Sequence, residues 1–132
     1  MRYFTAEEAN EALEEVRPLT EELVEHRRGL AELQERKVAL TARIAGNGGN
    51  VQPHEVQGLQ ERLDEALAGI ARCVARIHEL GALVKDLDQG LVDFPARRGD
   101  EDVLLCWCLG EEEIGFWHGL EEGFSGRRPL PL

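Results

Sequence analysis

Aromatic side chains are scarce, with two tryptophans, one tyrosine and four phenylalanines among 132 residues, and bases are outnumbered by acids, 15 against 26. The formal charge of −11 would repel phosphate over most of the surface, so nucleic acid is not an expected partner and an anionic membrane is disfavoured. No apolar run approaches the roughly 20 residues that span a bilayer. The opening, MRYFTAEEANEAL, lacks the apolar core of a signal peptide. Cysteines number three, an odd count, and Cys106 and Cys108 stand too close on one segment to pair comfortably, which argues against a disulfide framework. A cytoplasmic protein with reduced thiols is expected, and the length suits one structural unit.

What the chain has in quantity is helical periodicity. From Ala9 to Ile44 a seam at steps of three and four reads Ala9, Ala12, Val16, Leu19, Leu23, His26, Leu30, Leu33, Lys37, Leu40, Ile44, broken only by His26 and Lys37. The spacing resumes from Val56 to Val84 through Leu59, Leu63, Ala66, Ile70, Cys73, Ile77 and Leu80. Two such seams joined by a breaker predict a long antiparallel, coiled-coil-like helical hairpin over 1–84, with helices at about 5–45 and 53–84. Thr5 and Glu8 form a capping-box pattern, Pro53 suits a first helical turn, and Pro18 is expected to bend the first helix without ending it. GNGGN at 46–50 lacks the Lys-Ser/Thr of a phosphate loop and reads as a turn between helices. A turn near Asn50 sets Leu30 against Cys73, Lys37 against Ala66 and His26 against Ile77, with Cys73 a small core residue. Leu67 and Val74 widen the second apolar face, and a hairpin this long outreaches a small sheet, so homodimerisation in a four-helix packing is expected.

After Val84 the period falls to two and breakers recur at Gly90, RRGDED, GEEE and Gly119, which predicts an α+β protein whose residues 85–132 form a three-stranded antiparallel β-meander cap and a C-terminal tail. Strands are expected near 91–97, 103–109 and 113–118, the central VLLCWCL being covered on both faces. Pairing through the turns sets Asp93 opposite Trp107, and Trp107 opposite Phe116. His118 then shares a face with Asp93 at about 12 Å, too far for shared coordination within one sheet.

The acids of RRGDED and GEEE fall in opposite turns about 20 Å apart and read as solvated. Cys106 and Cys108 share a face but lack the second cysteine cluster of a structural zinc site. The candidate metal ligands are His118, Asp93, Glu111, Glu122 and Asp88, an oxygen-and-imidazole set suited to a divalent ion, with Asp93 conspicuous as a carboxylate inside a β pattern. A second chain could close the gap between Asp93 and His118. The competing reading of Asp93 is an ion pair with Lys85, Arg97, Arg127 or Arg128 that pins the sheet.

GLVDFP, LCW, LGE, FWHG and EGFSGR occur in this order at close spacing, preceded by YFTAEEANEALEEVRPL. On these motifs the chain resembles the DUF2203 family of uncharacterised bacterial proteins over nearly its whole length. The resemblance implies no activity, cofactor or catalytic residue. On architecture alone the favoured function is non-enzymatic: an oligomeric hairpin with a β cap that binds a protein partner through Trp117 and Glu112 on an acidic surface, with no cofactor needed. The alternative is a metal- or small-ligand-binding protein with its site where sheet meets helices.

Overall fold

A computed structural model describes residues 2–46 and 50–132, so Asn47–Gly49 of the expected turn lie outside the described residues. Helix α1 runs Ala6–Ala45 and α2 runs Pro53–Glu79. Five strands follow, β1 Leu83–Asp86, β2 Leu91–Arg98, β3 Glu101–Cys108, β4 Phe116–Gly119 and β5 Arg128–Pro129, in one antiparallel sheet of that order. The architecture is α+β as expected, with five strands in place of three.

The start of α1 forms as its sequence dictates: the Glu8 N–H donates to Thr5 Oγ1 at 3.1 Å and the Thr5 N–H donates to Glu8 Oε1 at 2.9 Å. Pro18 stands inside a continuous helix. Helix α2 stops at Glu79 and not at residue 84, because Gly81 takes φ +99°. The Gly81 N–H donates to His78 O and the Ala82 N–H to Ile77 O, the paired bonds of a Schellman turn. Leu80 and Val84 keep the helical rhythm only by coincidence, since Val84 belongs to β1 opposite Val92.

The tail likewise becomes structure. Arg128 pairs with Trp117 across β4–β5, and the Leu130 N–H donates to Gly115 O at 2.9 Å. The third expected strand narrows to Phe116–Gly119, because Gly110 at φ +108° turns the chain early and Asn10 of α1 accepts the Ile114 N–H.

One face of the sheet carries Val92, Phe94, Ala96, Val103, Leu105, Trp107 and Trp117, and it closes on Leu13, Val16, Leu23, Cys73 and Ile77 of the helices in one shared core. Burying each large apolar side chain there stabilises by about 1.5–3 kcal/mol, so helices and sheet support each other. Farther along the hairpin a smaller cluster of Leu30, Leu63 and Ala66 continues the seam.

The helical register differs from the expected one. Glu22 accepts from the Cys73 thiol at 3.2 Å, and the His26 ring lies where a side chain on Gly69 would sit, 2.6 Å from the position of its Cβ. His26 therefore meets Gly69 and not Ile77, about two helical turns away. The steric reason is that the imidazole needs a hole, which Gly69 provides. Leu30 joins Leu63 and Ala66 instead of pairing with Cys73, and Lys37 is exposed.

Candidate metal centre

Strand pairing differs by one residue from expectation, and side-chain alternation turns that slip into an exchange of faces. Asp93 pairs with Cys106, not with Trp107; Cys106 in turn pairs with Phe116, and Leu104 with His118. Trp107 pairs with Val92 and faces the helices, where the Arg17 guanidinium lies over its ring and its indole N–H donates to Glu111 O at 2.9 Å. The opposite face of the sheet thus carries Asp93, Leu104, Cys106 and His118 together, and all four are buried.

The C-terminal segment covers this outer face. Arg127 donates to Cys106 O at 3.2 Å, stacks on Phe116 and Phe124, and grips both Glu111 oxygens at 2.7 and 2.9 Å. Between segment and sheet lies a cavity of about 110 Å³ whose lining includes Lys85, Asp93, Leu104, His118, Glu122 and Phe124.

At its inner wall His118 Nε2 lies 3.2 Å from both carboxylate oxygens of Asp93. The backbone offset implied by the pairings, two strands across and two residues along, is still about 12 Å. The expectation that this excluded contact is wrong, because the imidazole and the carboxylate lean towards each other over Cys106 and Leu104. No second chain is needed to bring them together.

Cys106 completes the cluster: one ligand atom each from Asp93, Cys106 and His118 lie within 4.8 Å of one another. Burial, followed by the Asp93 charge, pushes the Cys106 thiol up to about 12. Cys108, on the same face, is also raised, first by burial and then by Glu111. Sequence reasoning left Cys106 out of the candidate set, since it weighed that residue only as half of a cysteine pair. No local signal marks it, because its place opposite Asp93 depends on strand register.

The other candidates are engaged elsewhere. Asp88 binds Arg27 of α1 at 3.0 Å, and Glu111 is occupied by Arg127 and the Cys108 N–H. Glu122 reaches the cavity, but the Gly119 N–H and both Arg128 nitrogens hold it, and the Gly119 bond is the main cause of its lowered pKa. Trp117, expected on an interaction surface, is only 7% exposed and stacks between Arg98 and Arg128; Glu112 remains exposed.

The tautomer decides what the cluster can do. His118 Nδ1 lies 2.8 Å from Gly119 O, an acceptor, so Nδ1 carries the hydrogen. In the neutral ring Nε2 then presents a lone pair to a carboxylate, and two acceptors in contact require a proton or a cation between them. A histidine whose second nitrogen donates to a backbone carbonyl has the outer support typical of a metal ligand. A tetrahedral ion with bonds of about 2.0–2.3 Å sets its ligands roughly 3.3–3.8 Å apart, somewhat closer than the 4.8 Å within which these atoms lie.

Fold and site together define a small α+β protein, a helical hairpin closed by a five-stranded sheet with a buried carboxylate, thiol and imidazole under its C-terminal segment. The chain belongs to the family described as uncharacterized conserved protein (DUF2203), which matches residues 2–130. No curated protein and no solved structure matches it. Among the described residues, no helix is long and apolar enough to cross a membrane.

Proposed function

We propose that the protein binds a transition-metal ion, zinc being the best chemical match, through Asp93 carboxylate, Cys106 thiolate and His118 Nε2. The observation that carries this reading is the convergence of three different donor types in a buried site, with the His118 tautomer set by Gly119 O. Thiolate and imidazole favour zinc over calcium or magnesium, and three protein ligands leave a fourth position open. The cavity beside Asp93 and His118 supplies space for that position.

The test is cobalt(II) titration of protein purified without a metal-binding tag. One equivalent per chain and a thiolate-to-cobalt charge-transfer band are expected, with the band lost in Cys106→Ser and affinity reduced at least tenfold in His118→Ala. Circular dichroism checks that both variants fold. No retained cobalt, or an unaltered band in Cys106→Ser, overturns the reading.

A second reading, an oligomeric hairpin module that also offers its acidic surface to a protein partner, draws on the far end of the helices. Val38, Ile44, Val56 and Leu67 are 71%, 56%, 45% and 52% exposed, apolar side chains that a second copy packed alongside would cover. Sedimentation equilibrium tests the homodimer: a dimer that dissociates in Val38→Glu/Leu67→Glu supports it, and a monomer at micromolar concentration counts against it.

A further inference from the structure

The cavity of about 110 Å³ above Asp93 and His118 has a composition of its own. That space is several times what one water needs, so it admits a small ligand. Its walls divide into an apolar part, Leu91, Leu104, Leu120 and Phe124, and a polar part in which Lys85 is the only cation.

Charge selects the kind of occupant. A bound dication is neutralised by the Asp93 carboxylate and the Cys106 thiolate. Glu122 also lines the cavity, but Arg128 neutralises it through contacts of 2.9 and 3.0 Å. Lys85 forms no ion pair among the described residues, which leaves one positive charge at the rim. A monoanion balances it. The leucine and phenylalanine walls disfavour a fully hydrated inorganic ion, because part of its shell would be lost without replacement.

We propose that this cavity binds a short-chain monocarboxylate, its carboxylate directed to the open metal position and Lys85, its alkyl end among Leu104, Leu120 and Phe124. The inference rests on the metal reading above. It makes Lys85 a ligand-binding residue and the segment from Leu120 to Phe124 the wall that selects for size.

Acetate and propionate titrated into the cobalt-loaded full chain, with chloride as comparison, test it through the visible ligand-field bands. A saturable shift with acetate or propionate but not with equal chloride is expected, weakened at least tenfold in Lys85→Ala while the thiolate band persists. Cobalt bands that acetate and propionate leave unmoved overturn the ligand assignment and leave the metal reading standing. An equal response to chloride, or unchanged acetate affinity in Lys85→Ala, also overturns it. Absence of a cobalt band overturns both readings.

Discussion

His118 Nε2 is equidistant, at 3.2 Å, from the two carboxylate oxygens of Asp93, although an intervening strand separates the two backbones. Both side chains are almost fully buried, at 3% and 2% exposure. Each is thus the other's main compensation for lost hydration in the metal-free chain, and removing one leaves an unpaired polar group inside.

Accordingly, Asp93→Ala in metal-free protein is expected to cost about 3–5 kcal/mol in urea unfolding. The double variant with His118→Ala should cost clearly less than the sum of the single changes, with a coupling above about 1 kcal/mol. Additive losses would show that the two groups do not interact.

Gly90 is expected to tolerate no side chain. It has φ +75°, and an added Cβ would lie 2.9 Å from both Leu109 Cβ and Thr20 Cγ2, where the β1–β2 turn presses on α1. Gly90→Ala should lower stability by about 2 kcal/mol or more, read as a fall in Tm. An unchanged Tm would mean that the turn is not seated on α1.

Gly69 gives a sign that depends on its neighbour. Alanine is favoured over glycine in a helix by about 1 kcal/mol, but here its methyl would meet the His26 ring. Gly69→Ala should destabilise the natural chain and stabilise the His26→Ala background. The same sign in both backgrounds would contradict the observed helix register.

Cys73 links the helices to alkaline stability. Burial, then its hydrogen bond to Glu22, pushes its thiol up from about 9.0 to about 11, so the folded chain favours the neutral form. That contribution is present in full below the unfolded thiol's value and is lost as pH rises through about 11. Unfolding free energies of the natural chain should therefore fall by roughly 2–3 kcal/mol more than those of Cys73→Ala between about pH 8.5 and 11. Parallel profiles would refute the buried thiol contact.

Much of the architecture is written in local sequence. The hairpin seams, the capping box at Thr5 and Glu8, Pro53 at the start of α2 and the change to period two are short-range patterns, because helices and strands each impose their own spacing on apolar residues. The end of α2 was less legible: Leu80 and Val84 preserved the helical rhythm, while one glycine at positive φ decided the outcome. β5 is two residues long and exists only through its partner β4, so no local pattern marks it.

For the site, sequence alone singled out Asp93 and His118 and put them on one face of the sheet. It could not reveal that Cys106 lies between them, because a one-residue change in strand register exchanges every side chain between faces, and register is decided by the turns and by which face of β3 the helices cover. Nor could a backbone distance of about 12 Å tell whether two side chains lean together or apart. Local spacing determined the elements and named the two unusual residues. Tertiary packing brought in the thiol and closed the C-terminal segment over the cluster, because contacts among β2, β3, β4 and that segment depend on long-range pairing that no stretch of sequence carries by itself.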